Sequence, residues 1–386
     1  RGSLSVIPPV EPNRLFQWTR QVLRNSPYSD QKLAQVEIPE GNPIPPGSKV
    51  PPERTSPIRH VLFIIKENRT YDEIFGDIRE GNGDPSLAIF GEAVTPNHHK
   101  LAREFVLFDN FYACGAVDAD GWNWTTGAIA PAYVELLWPS VYSGRRKQYD
   151  FFGQALPSIP PAAYLWTNAA AAKRSLRNYG LLVENLAAKE LGQIQVKAVR
   201  DPVLRGVTNL YFRGFDLDYP DVERAKVFIE DLRQMEQRGE MPQLVLMHLG
   251  NDHTAGTMPG KIAPRSAVAD NDLALGMIVE ACSRSRFWRQ MAIFVVEDDA
   301  HGGSDHVDAH RTVALVISPY ARRKTVDSTF YNTVSMLRTI ELILGLNPMS
   351  HYDAGAMPMW TAFTSTPNFQ PYTAEPARVP LDERNP

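Results

Sequence analysis

The sequence predicts an α/β fold, a doubly wound and mainly parallel sheet with helices on both faces. Continuous apolar, β-branched runs such as HVLFIIKEN and MAIFVV read as strands buried on both sides. Stretches such as PDVERAKVFIEDLRQMEQR and TVSMLRTIELILGL place apolar residues at three- and four-residue spacing, as amphipathic helices do. Strands alternating with helices imply a parallel sheet, because each crossover between parallel neighbours needs a long connection.

Residues 1–56 carry IPPVEPN and IPEGNPIPPGSKVPPERTSP and read as an extended proline-rich arm, since proline lacks a backbone donor and blocks helix. A core over 57–360 opens with HVLFIIKEN. FVLFDNFY, QLVLMHLG, MAIFVV and TVALVISPY complete five candidate strands. The segment 142–219, with PSIPPAAYLW and NAAAAKRSL, breaks the alternation and reads as an inserted, cap-like segment that walls a pocket. Residues 361–386 are again proline-rich and read as an extended C-terminal tail.

A chain of 386 residues with 43% hydrophobic content can bury a large core. Its formal charge of -4 argues against nucleic acid as a partner, because binding polyphosphate needs a basic surface. The expected partner is a small-molecule substrate. No apolar run is long enough for a transmembrane segment, and no basic, apolar leader precedes the core. Arg1-Gly2-Ser3 could be the remnant of a tag, in which case any natural export signal would lie outside this sequence. Cys114 and Cys282 form neither a disulfide framework nor a CxxC metal motif and read as buried thiols.

Four polar groups follow predicted strands: Glu67-Asn68-Arg69, Asp118 to Asn123, Asn251-Asp252-His253-Thr254 and Glu297-Asp298-Asp299. Parallel strand ends share one edge of a sheet, so these distant segments should converge there. Any one of them has a plainer explanation as a helix cap or a solvated acidic pair. Their common placement favours a site. His253 and His310 lie beside aspartates in such segments, where acid, base or metal roles are available. His301 and His306, in a glycine-containing loop, could line the entrance, and His248, inside a strand, reads as structural. In the inserted segment, Arg177 and Tyr179 are candidates for binding an anionic or hydroxylated substrate, since a guanidinium offers two parallel donors.

ENRTYDEIFG resembles the ENRSFDHYFG-like opening of the phosphoesterase family that contains bacterial phospholipases C and acid phosphatases, within the alkaline phosphatase superfamily. The resemblance runs on through TPNHHKLAREFVLFDNFY, DGWNWTTGA, RNYG, NDHTAGT, ADNDLALG, VEDDAHGGSDHVDAHRT and STFYNTVSMLRTIELILGL, covering roughly 59–360. It implies an alkaline-phosphatase-like fold, a metal-dependent hydrolytic site and a periplasmic or secreted location. It makes Glu67, Asn68, Asp298 and Asp299 metal ligands and places His253, His310 and His98 or His99 near the transferred group, with Asn123 on the DGWNW motif as a substrate contact. Such oxygen ligands suit Ca²⁺, Mg²⁺ or Mn²⁺, and Zn²⁺ is also compatible.

Relatives read SADGHNW or SGDGWNW where this chain has DADGWNW, so Asp118 stands where their nucleophilic serine or threonine would be. Thr125 and Thr126 lie about two helical turns further on, too far to replace it. Three functions follow: a metallohydrolase in which a metal-activated water attacks, a catalytically silent ligand-binding relative, or an enzyme using Asp118 as a base on a non-phosphate substrate.

Overall fold

The computed structural model describes residues 11–25, 38, 40–51, 55–145 and 155–386. Its centre is a five-stranded sheet built from β1 (His60–Lys66), β2 (Leu176–Tyr179), β3 (Leu244–His248), β4 (Met291–Glu297) and β5 (Ala314–Ile317), in the order β2-β3-β1-β4-β5. β2, β3, β1 and β4 run parallel, and β5 pairs antiparallel with β4. The sheet is flanked by helices, as the alternating pattern predicts. Val61 to Ile65 are at most 1% exposed. Burying each such side chain contributes roughly 1.5–3 kcal/mol.

The helices used below are α1 (Pro12–Asn25), α2 (Tyr71–Phe75), α3 (Pro96–Glu104), α4 (Asp118–Gly127), α5 (Ala132–Tyr142), α6 (Leu165–Ala171), α7 (Asp221–Arg238), α8 (Pro264–Arg284) and α9 (Thr333–Leu344). α7 ends on Gly239 and α9 on Gly345, both left-handed, the conformation glycine adopts without a Cβ penalty.

Three expectations are corrected. The N-terminal segment is not extended throughout, because Pro12–Asn25 is helical; its proline sits at the helix start, where a missing N–H costs nothing. Much of the rest of that segment lies outside the described residues. FVLFDNFY does not enter the main sheet. It gives Val106–Phe108 and Phe111–Tyr112, which pair with Thr325–Asp327 and Tyr331–Asn332 in two small sheets. The fifth place in the main sheet goes instead to β2, inside the segment read as a pure insertion. LRNY is short and half polar because an edge strand needs only partial burial, so it lacks the apolar run that marked the others.

β1 lies between β3 and β4, so the C-terminal ends of all three open side by side. Residues 361–386 carry no regular strand or helix beyond a short turn of 3-10 helix ending at Ala362, and they pack along α3 and α8: the Tyr372 hydroxyl donates to Asn97 Oδ1, and Ser266 Oγ donates to Pro380 O.

Candidate functional site

The register of β1 and β4 brings the first two acidic groups together. Lys66 is opposite Glu297, and Asp298 N donates to Lys66 O at 3.1 Å, so the ladder continues by one residue and sets Glu67 beside Asp298. Asn68 then takes a left-handed φ of 64°, which asparagine tolerates better than most residues, and turns the chain into α2. Thr70 caps that helix in a reciprocal box with Glu73. Gly302 N donates to Asn68 O, and a Cβ at Gly302 would collide with that carbonyl, so only glycine lets the 300–303 loop close over Asn68.

α4 delivers Asp118 from another direction. A Cβ on Gly121 would lie 2.6 Å from Asp298 O and 3.3 Å from Asp299 Cβ, so the missing side chain lets the first turn of α4 rest on the end of β4. One ligand atom each from Glu67, Asp118 and His253 lies within 4.8 Å of the others, and the same holds for Asp118, Asp299 and His301. Asp118, Trp122 and Thr126 fall at four-residue spacing; Trp122 and Thr126 line the same cavity as Asp118.

The cluster is rich in acceptors. Both oxygens of Asp298, Oδ2 of Asp299, Oδ1 of Asn68 and Oδ1 of Asp118 are buried without a hydrogen-bond partner among the described residues. Native structures rarely leave so many polar atoms unsatisfied. Burial, then the charges of Asp118 and Asp299, push the Glu67 carboxyl well above its usual range, and burial with Glu67 and Asp299 does the same to Asp298. Asp118 goes the other way: burial alone would raise it, but donors from Tyr142 and Asn68 outweigh that and hold it low. The nearest lysine does not neutralise the group. Lys66 Nζ is buried one layer below, 2.7 Å from Asp252 Oδ2 and 2.8 Å from Glu297 Oε1. Arg69 is paired with Glu73 at 2.8 Å. A divalent cation fits this donor set, since it would supply the positive charge and the partners that these oxygens lack.

Beside the acidic cluster opens a cavity of about 350 Å³. Glu67, Asp118, His248 and His253 form its polar end, and its walls are largely apolar, including Trp122, Trp166, Leu182 and Phe215. Tyr164 and Trp166 are stacked at 4.5 Å, and the Phe215 ring lies nearly parallel to His248 at 5.7 Å. The wall from Gly180 to Val183 is the continuation of β2. Gly180 has φ 91°, and Asn178 fixes the turn by accepting from Leu181 N and donating to Leu181 O. The segment 142–219 therefore does border the cavity, with residues other than those expected.

Glu67, Asn68, Asp118, Asn123, His253, Asp298 and Asp299 come together at the strand ends, with Asn123 lining the cavity and bonded to Ala119 O. Four candidates lie elsewhere. Arg177 and Tyr179 both turn to Asp231 Oδ2, the guanidinium Nε at 2.9 Å and the phenol at 2.7 Å, which ties β2 to α7. His99 is fully buried between Asp77 and Thr95 O, each 2.8 Å away. His310 is exposed and pairs with Asp308 at 3.0 Å; its neighbour Arg311 is buried under Asp72 and Asp305 and turns residue 310 outward. His306 pairs with Asp72 at 2.6 Å, and His301 pairs with Asp299 at 2.8 Å over the acidic cluster.

His248 corrects the opposite way: it lines the cavity, its Nε2 is 2.8 Å from Glu67 Oε1, and burial drives its pKa down to about 3, leaving a neutral imidazole. Its place as the last residue of a strand leading into NDH was the available signal. Two further wall residues, Tyr164 and Trp166, sit in PPAAYLW, where only the local density of aromatics pointed to them.

Over most of its length the chain superposes on a protein in the alkaline phosphatase superfamily from Vibrio parahaemolyticus, with a TM-score of 0.54, 14% identity, and coverage of 90% of this chain and 78% of that one. The fold is alkaline-phosphatase-like. Residues 212–347 match the sequence model of the Phosphoesterase family, a span that includes His253, Asp298 and Asp299 and excludes Glu67 and Asp118. The lipoteichoic acid synthase LtaP from Listeria monocytogenes has a TM-score of 0.49 and 11% identity, over 86% of this chain and 79% of that one. The phosphonate monoester hydrolase of Agrobacterium radiobacter has a TM-score of 0.45 and 15% identity, over 75% and 74%. No curated protein matches the sequence.

Proposed function

We propose that this protein is a metal-dependent hydrolase of ester bonds, of the phosphoesterase type, whose substrate carries a compact apolar group. The observation that carries the reading is the set of buried, unpartnered oxygens of Asn68, Asp118, Asp298 and Asp299 beside Glu67. Glu67, Asn68, Asp298 and Asp299 would hold the cation, which when bound supplies Lewis-acid polarisation of the ester and lowers the pKa of a coordinated water. Asp118, kept ionised by Tyr142 and Asn68, is placed at the head of α4 to accept a proton from an attacking water. The apolar walls would exclude water from the leaving group's side and orient it. The family match over 212–347 supports the ester-cleaving class.

A second reading, a silent relative that binds a ligand in the same cavity, is favoured by one contact: the Tyr142 hydroxyl already engages Asp118, and no hydroxyl stands at position 118 to act as nucleophile. A screen of phosphomonoesters, phosphodiesters, phosphonates and sulfates bearing aryl or alkyl groups separates the two, using protein purified without chelator and supplied with Ca²⁺, Mg²⁺, Mn²⁺ or Zn²⁺. Turnover that EDTA abolishes and Asp298→Ala eliminates supports the hydrolase. Saturable ligand binding without turnover supports the silent relative, and absence of any divalent metal binding sinks the hydrolase reading.

A further inference from the structure

We infer that α1 is an interfacial anchor that docks the protein on an anionic membrane surface. The helix stands apart from the catalytic reading and rests on different observations. Every residue from 11 to 22 is exposed, so among the described residues no core covers this part of the helix. Leu15 is 56% exposed, Phe16 62%, Trp18 42% and Val22 66%, large apolar side chains that water does not favour. At about 100° per residue these four positions fall within an arc of roughly 160°, and the opposite side holds Asn13, Gln17 and Gln21.

The charge pattern selects the occupant. PNRLFQWTRQVLRN contains arginines and no acidic residue; the nearest carboxylate, Glu11, precedes the helix. Arg14 and Arg20 lie at the two borders of the apolar arc, with the Arg14 guanidinium 5.1 Å from the Trp18 ring centre and that of Arg20 5.7 Å from Phe16. Arginines at both borders can lay their stems along the apolar face while their heads reach lipid phosphates, and aromatic rings prefer the headgroup level. The positive strip sits on a chain whose formal charge is -4, so the attraction to an anionic surface is local to α1. A helix of 14 residues is too short for the three or four heptads of a stable coiled coil, which disfavours a second copy as the occupant. It is also shorter than a bilayer span, and no described helix is long and apolar enough to cross a membrane, so α1 would lie along the surface.

The test is co-sedimentation of the full chain with vesicles of phosphatidylcholine alone and of phosphatidylcholine containing one-third phosphatidylglycerol, at low and high salt. The expected result is binding to the anionic vesicles that weakens with salt, with little binding to neutral ones. Arg14→Glu/Arg20→Glu should weaken it at least about tenfold, since each cation near an anionic surface is worth about a kcal/mol. Phe16→Ser/Trp18→Ser should abolish it. All four side chains are exposed, so the fold should be unaffected, which circular dichroism would check. Failure of the wild type to bind anionic vesicles at low salt, equal binding to neutral vesicles, or unchanged binding by Phe16→Ser/Trp18→Ser overturns the proposal. So does a wild-type dimer in light scattering that these substitutions dissolve, which would make the face a contact between copies. None of these readouts depends on hydrolysis, so the anchor and the catalytic reading succeed or fail separately.

Discussion

The hydroxyl of Tyr142, the last residue of α5, donates to Asp118 Oδ2, the first residue of α4, at 2.6 Å. The phenol is 39% exposed and its ring also meets His301 edge-on at 6.4 Å, so one side chain spans the mouth between the two. If Asp118 orients and deprotonates a water, Tyr142→Phe removes the donor that holds it. The expected outcome is a several-fold fall in kcat with a smaller change in KM, in line with the roughly 1.5–3 kcal/mol of a hydrogen bond to a charged group, partly screened here by solvent. Unchanged kcat would assign Tyr142 to packing alone.

Charge at position 118 should decide substrate preference. With one divalent cation bound, Glu67, Asp298 and Asp299 would already oppose it, and an ionised Asp118 would add to the excess that a phosphate dianion meets. Phosphomonoesters are therefore expected to be poor substrates compared with esters of lower charge. Asp118→Ser should raise phosphomonoester turnover by restoring a neutral hydroxyl at the head of α4. Vigorous wild-type phosphomonoesterase activity that survives Asp118→Asn would contradict this.

Removing a carboxylate should have opposite effects on stability with and without metal. In chelator, Asp298→Asn relieves repulsion among buried carboxylates, so its Tm is expected to equal or exceed that of the wild type. With Mn²⁺ or Mg²⁺ at a hundred times Kd the wild type should gain about 2.7 kcal/mol, and the variant should gain far less. Calorimetry with and without the ion reads both signs, and equal metal-induced shifts in the two proteins would remove Asp298 from the ligand set.

Gly121→Ala places a methyl 2.6 Å from a backbone oxygen that cannot swing away. The expected cost is about 1–3 kcal/mol, as for other overpacked sites, with α4 pushed off the end of β4. Metal affinity and turnover should fall together because Asp118 moves with the helix. A stable variant with normal metal affinity would show that α4 and β4 need not touch.

Asp231 gathers Arg177, Tyr179 and Asn209 on one oxygen, and although burial alone would raise its pKa, these donors hold it below the ordinary carboxylate value. A folded pKa below the unfolded one contributes stability above the unfolded value, near pH 4, which is lost as pH falls through the folded one. Asp231→Asn should therefore destabilise the protein at pH 7, and the gap from wild type should narrow below about pH 4. Denaturant melts at both pH values provide the check; a gap that stays constant would show that charge is not what Asp231 contributes.

The strands that carry the acidic cluster were legible because they are central. β1, β3 and β4 are covered on both faces, so their sequences are unbroken apolar runs and the polar residues after them stand out. β2 was illegible for the converse reason: it pairs with one strand, β3, and on its other side meets only a single bridge from Asn178 to Thr208, so LRNY needs little apolarity, and its arginine and tyrosine, which read as ligand-facing, are spent on Asp231. His248 was misread because a strand interior normally implies packing, yet the last residue of a strand already faces the site. His99 and His310 were overvalued because sequence adjacency to a motif does not fix which way a ring points.

The cavity wall from Gly180 to Val183 hangs from that same edge strand, whereas the acidic cluster grows out of the two strands at the middle of the sheet. Material at an edge can be lengthened, shortened or exchanged while the pairings of the central strands stay intact. Such a plan lets the cavity wall be remodelled while the acidic cluster stays in place, and a laboratory seeking new selectivity should graft at 180–183 before touching the residues that end β1 and β4.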